Sequence, residues 1–178
     1  VVITKSNTLP SWGSWHRTAL LPTDQMKADS TKALAINRTI ETADAHGNWQ
    51  PYNSGQTLHV GDKIRVSLTF YNDDALSFVK ITDHRAATLE PNDKLSGYRG
   101  WWFWRLVDAE LPTPPHYMII SDDKCEFFVD HLLEGWHSIS YILTVTHAGD
   151  FAAGYAEAQC MYEPEIMAHT EGLRMRTE

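Results

Sequence analysis

Ile139, Tyr141, Leu143 and Val145 occupy alternate positions of one run, with Ser138, Ser140 and Thr144 on the opposite side. A period of two is the signature of an extended strand with one buried face, and no helix can satisfy it. The run lies within a longer stretch, Leu133 to Glu163, with a glycine turn at Glu134-Gly135 and another at Gly149-Asp150. A small-residue segment follows, and the stretch closes on Met161-Tyr162-Glu163-Pro164. It carries a strong strand signal and no catalytic signature.

The same period recurs along the chain. Ile64, Val66, Leu68 and Phe70 form one face of a strand over Lys63–Tyr71. Leu34, Ile36 and Ile40 alternate with Asn37 and Thr39, and Cys125, Phe127 and Val129 form a further face. Phe78–Asp83, Tyr117–Ser121 and the Leu173/Met175 alternation add three more candidates. Turn residues separate these runs at Gly61-Asp62, Asn72-Asp73-Asp74, Pro112 to Pro115 and Asp122-Asp123. Many short strands with regular turns predict an all-β antiparallel sandwich with little or no helix. A short helix or turn fits near Ala28 to Ala33 or after Glu90-Pro91. The loop-like run between Glu41 and Ser54 divides the chain into residues 1–48, N-terminal strands that join an upstream region, and a domain over 49–178. Forty residues rarely sustain a core alone, so the first part is expected to pack into the same unit. Val1 opens in mid-strand, as expected of a piece of a longer protein.

Composition removes several classes of function. The formal net charge is −8 with no basic run, whereas phosphate backbones require clustered Lys and Arg. No apolar run approaches the roughly 18 residues of a membrane helix. Two cysteines, Cys125 and Cys160, are too few for a disulfide scaffold. They read as two buried thiols or as one bridge. The nine histidines include no His-x-His or His-x-x-x-His pair, and His131, His137 and His147 are too widely spaced for local metal ligation; they read as surface and turn residues. No Gly-x-Ser-x-Gly motif and no glycine-rich phosphate loop occurs, and the carboxylates Asp108 and Glu110 sit beside a proline loop. No cofactor, no metal and no catalysis are expected. Asn37-Arg38-Thr39 matches the glycosylation pattern, which has meaning only in a secreted eukaryotic chain.

One window keeps two readings open. Trp101, Trp102 and Trp104, with Phe103 between them, form the most aromatic segment of the chain. Exposed, they would make a stacking platform for sugar rings and the chain a carbohydrate-binding module. Buried, they are a core or interface strand.

Asp83-His84-Arg85-Ala86-Ala87, followed by Leu89-Glu90-Pro91, resembles a segment of the last macroglobulin-like domain of bacterial alpha-2-macroglobulins. The order of Leu58-x-Val60-Gly61-Asp62, Phe78-Val79, Phe127-Phe128-Val129-Asp130, Tyr141-x-Leu143-x-Val145 and Cys160-Met161-Tyr162-x-Pro164-Glu165 fits that domain from about Trp49 to the end. His147 to Phe151 and Ala168 to Gly172 are similar to the versions from Bacteroides-type bacteria. The resemblance implies a macroglobulin-like β-sandwich without an active site. It would serve as a structural and regulatory domain of a broad-spectrum endopeptidase inhibitor, a protease trap of the cell envelope, periplasmic or surface-exposed. The parent would be a lipoprotein. The partners implied are the other domains of the parent and the proteases it traps, with no nucleic acid and no membrane contact by this part. In members that carry a thioester, the family's Met-Tyr pair packs over it. Here that pair is Met161-Tyr162.

Overall fold

The computed structural model describes residues 4–6, 8–10, 12–14, 16, 18–93, 95–100 and 111–178. Its strands in chain order are β1 (Asp29–Ser30), β2 (Leu34–Ala43), β3 (Trp49–Pro51), β4 (Thr57–Leu58), β5 (Lys63–Asn72), β6 (Leu76–His84), β7 (Leu89–Pro91) and β8 (Gly97–Arg99). They continue with β9 (His116–Ile120), β10 (Lys124–Leu132), β11 (Gly135–Val145), β12 (Gly149–Gly154), β13 (Ala156–Cys160), β14 (Met167–His169) and β15 (Leu173–Thr177). Among the described residues the only helical turn is a 3₁₀ segment, Thr23–Gln25. The region around Ala28 to Ala33 forms β1 and a bend, not a helical turn.

The strands form a seven-stranded sheet in the order β1-β14-β13-β6-β10-β9-β8, a five-stranded sheet β3-β2-β5-β11-β7, and a three-stranded sheet β12-β15-β4. All pairings are antiparallel except β15 with β4. The expected all-β sandwich is thus the observed architecture. Its core has the predicted faces. Ile64, Val66, Leu68 and Phe70 from β5 and Ile139, Leu143 and Val145 from β11 are buried on the inner side of the five-stranded sheet. Val79 and Ile81 from β6, Cys125, Phe127 and Val129 from β10, and Ala156, Ala158 and Cys160 from β13 belong to the same core. Each fully buried Leu, Ile or Phe contributes about 1.5–3 kcal/mol relative to exposure, so the alternation itself is the main stabilising device. Leu58, Ala153 and Met175 of the small sheet are buried in that core too.

β2 is bonded to β5 from Leu34↔Asn72 to Thr42↔Ile64. The segment before Trp49 therefore supplies an internal strand of the five-stranded sheet, between β3 and β5. Asp83 to Pro91 carries the chain from one sheet to the other, since β6 lies in the seven-stranded sheet and β7 in the five-stranded one.

Candidate functional site

A buried polar cluster holds the crossover in place. In β2, Arg38 has the same parity as Leu34, Ile36 and Ile40 and so points inward, where its Nη1 meets Asp83 Oδ1 at 2.8 Å, with the two side chains 5% and 2% exposed. Arg38 also donates to the carbonyls of His84 at 3.2 Å, Ala153 at 3.3 Å and Gly154 at 2.8 Å. The Tyr141 hydroxyl donates to the other Asp83 oxygen. Arg85 donates to the Leu89 and Ser121 carbonyls, and the Leu89 amide bonds to Ala86 O at 2.9 Å to close the turn. Burial, then the Asp83 charge, drives the Tyr141 phenol well above its ordinary range. Burial also pushes the Cys125 thiol up to about 11. Neither group is reactive in that state, since nucleophilic thiols need lowered pKa values and access. Asp83, Arg85 and Tyr141 are architectural: they pin one sheet to the other.

The predicted contact residues lie elsewhere, on an exposed hairpin. Cys160 ends β13 with its side chain buried, and the chain turns back through Pro164 into β14. The Cys160 amide bonds to Ile166 O at 3.0 Å, Ile166 N to Glu163 O at 2.9 Å, and Gln159 Nε2 to Pro164 O at 3.0 Å. These bonds hold the loop from both ends. Met161 and Tyr162 project from it, 50% and 76% exposed. The loop presents both outward, just past the end of the strand. Tyr162 packs edge-on against Phe78, ring centroids 5.2 Å apart at 87°. Phe78 meets His131 at 6.4 Å on β10. The result is an apolar tip with one phenol ring and one thioether on it. Glu163 and Glu165 flank it and, after burial, are the further causes that raise the Cys160 thiol. Such a surface can exclude water and pack.

The other candidates are distributed as follows. Trp101, Trp102, Trp104, Asp108 and Glu110 lie outside the described residues. A cavity of about 440 Å³ opens along β11, where Trp49, with the Arg65 guanidinium 4.9 Å from its ring centre, faces Asn92, Asp93 and His116. Cys125 and Cys160 are both free and buried, so the thiol reading describes them and the bridge does not. Among the described residues no three His, Cys, Asp or Glu side chains are grouped to hold a metal ion. His131 is exposed, but His137 is no surface or turn residue. It is buried on β11, stacked on Phe70 at 5.6 Å, and its Nε2 donates to Leu133 O at 2.8 Å. No helix among the described residues is long and apolar enough to cross a membrane.

Two residues of these clusters escaped the sequence reading. Arg38 had a legible signal, a charge on the apolar parity of its strand. The role of Phe78 beside Tyr162 had none, since the two are far apart in the chain.

The fold has solved counterparts. It is similar to a Tyr-to-Gly mutant of Salmonella alpha-2-macroglobulin, with TM-score 0.66 and 22% identity over 88% of this chain and 10% of that one. It is likewise similar to Escherichia coli alpha-2-macroglobulin activated by porcine elastase, with TM-score 0.67 and 17% identity over 86% of this chain and 14% of that one. The native conformation of the Escherichia coli protein, seen by cryo-EM, gives TM-score 0.67 and 17% identity over 89% of this chain and 10% of that one. Identities this low speak for the fold, and the chain spans only a small part of each of those proteins. No curated protein sequence matches it. Residues 34–165 match the family model described as the bacterial alpha-2-macroglobulin MG10 domain, a span that runs from β2 through the crossover to the Met161-Tyr162 loop. The chain therefore belongs to the bacterial alpha-2-macroglobulin MG10 domain family.

Proposed function

We propose that this chain is the C-terminal structural and regulatory domain of a bacterial alpha-2-macroglobulin-like protease trap, and that Met161 and Tyr162 shield a thioester in a neighbouring domain. The domain performs no catalysis. Residues 1–48 join it to the upstream region and pack with residues 49–178 as one unit. The parent works in the cell envelope as a lipoprotein, and the proteases it meets are captured by the whole molecule.

The observation that carries this reading is the exposure of Met161 and Tyr162 on a hairpin whose backbone is bonded at Cys160, Met161 and Ile166. A thioester persists only where water and amines are kept out. A thioether beside a phenol ring supplies a dry and adaptable cover. Because the cover sits on a separate domain, a rigid-body swing of that domain uncovers the bond, a hinge-type switch. An exposed apolar tip on an otherwise polar loop also matches the anatomy of a domain interface.

The test uses the parent protein and requires a Cys-x-x-Gln motif in it. Tyr162→Ala should speed inactivation of the thioester by methylamine at least tenfold, with thiol release as the readout. An unchanged rate would sink the shielding role and leave Met161-Tyr162 as a plain interdomain contact.

A further inference from the structure

Phe78 stands apart from every other described residue. It is the only non-glycine among them with a positive φ, 54°. The left-handed region is costly for a bulky L-residue and persists only where its surroundings enforce it. The location explains what enforces it. The ladder between β6 and β13 reaches its last pair at Cys160↔Val79, whereas β6 continues to pair with β10 at His131↔Ser77 and Leu132↔Leu76. Phe78 is thus the first residue beyond the β13 ladder, and the β6–β10 register skips it, passing from Val129↔Val79 to His131↔Ser77. Its carbonyl accepts the Met161 amide at 2.9 Å. Phe78 is 44% exposed, and its ring stands nearly perpendicular to Tyr162 and tilted against His131. Among the described residues, Phe78 is the only ring that Tyr162 touches.

We propose that Phe78 is the positioning residue for Tyr162: its left-handed backbone turns the ring outward, and that ring fixes the direction of the Tyr162 side chain. An edge-on aromatic pair is directional and favours the paired Tyr162 rotamer roughly fivefold over unpaired ones. The residue that takes the loop backbone at Met161 thereby also orients the side chain that follows. The surface is set before any partner arrives, which reduces the ordering cost of closing an interface. The consequence for shielding rests on the function proposed above; the positioning of Tyr162 does not.

Two arms separate these claims. In the chain itself, NMR reads the Tyr162 Hα–Hβ couplings and ring-proton shifts. The native protein should show one dominant Tyr162 rotamer and ring-current-shifted signals. Phe78→Leu should average the couplings and return the shifts toward those of a free tyrosine, and Phe78→Tyr should restore both. Phe78→Gly tolerates the positive φ, so it folds even where Phe78→Leu does not, and it should give the same averaging. Unaltered Tyr162 signals in Phe78→Gly would overturn the proposal. In the parent, Phe78→Gly should raise the methylamine rate about threefold to fivefold, with Phe78→Tyr close to native. Acceleration by Tyr162→Ala without any by Phe78→Gly would overturn positioning and spare the shield. No acceleration by Tyr162→Ala would remove the shield, and the NMR arm would still decide the role of Phe78.

Discussion

Replacing Arg38 by Met removes one charge from a pair that has almost no access to solvent. Met retains the apolar stem and deletes the guanidinium. Asp83 then keeps only the Tyr141 hydroxyl as a side-chain partner, and the carbonyls of His84, Ala153 and Gly154 lose a charged donor. Breaking a buried pair from one side costs about 3–5 kcal/mol, because an uncompensated charge is left behind. With a urea slope of about 2 kcal/mol/M, the unfolding midpoint should fall by roughly 2 M. Arg65 supplies the control. It forms a two-point ion pair with Glu41 at 2.6 and 2.8 Å, but the side chains are 27% and 22% exposed. Water screens that pair, so Arg65→Met should cost under about 1 kcal/mol. Combining Arg38→Met with Asp83→Asn should recover much of the loss, since the orphan charge is then gone. Equal midpoints for Arg38→Met and Arg65→Met would refute the claim that burial decides the worth of these pairs.

Tyr162→Ala in the chain alone should cost less than about 1 kcal/mol, the range of surface substitutions, while Phe127→Ala should cost about 3–5 kcal/mol; thermal melts of both variants check the contrast. Gly154 has φ +59°, and a Cβ there would stand 2.5 Å from the Cβ of His84. Gly154→Ala should therefore destabilise by about 2–4 kcal/mol through backbone strain and overpacking, read as a clear drop in melting temperature. The Cys125 thiol, raised from 9.0 to about 11, gives a pH dependence of definite sign. Its stabilisation is complete below pH 9, where the thiol is neutral in both states, and is lost as pH rises toward 11 because only the unfolded chain ionises. The loss is about 2 kcal/mol by pH 11. Urea midpoints between pH 8 and 11 should fall less steeply in Cys125→Ala, with Tyr141 adding its own fall only above pH 10.

The sandwich was legible because its strands are half-buried: each of the faces on β5, β10 and β11 obeys one period, and burial follows parity. Short partners such as β1, β3 and β8 have too few residues to show any period; their pairing is dictated by neighbours distant in sequence. The site was half legible. Met161 and Tyr162 follow a strand of alternating Ala156, Ala158 and Cys160, so their exposure at its end is what the pattern allows. The Tyr162–Phe78 contact depends on the β6–β13 register, which local sequence does not encode. Asp83 looked like a motif residue, and its partner Arg38 drew notice only as the middle of a glycosylation-pattern triplet. Parity within β2 carried the missing signal, because a charge between Ile36 and Ile40 must find a partner inside. His137 was misread for the opposite reason: beside a glycine turn it resembled a loop residue, yet its parity with Ile139 marked it as inward.

The long β2–β5 ladder has a mechanical side. Tension arriving along the segment before Leu34 would pull β2 lengthwise, along its own axis. The hydrogen bonds to β5 run across that direction from Leu34 to Thr42, so they would be loaded together in shear and could not be unzipped one at a time. Arg38, midway along the strand, would add a cleat into the opposite sheet. A ladder wired this way resists lengthwise tension as one unit, and does not part bond by bond.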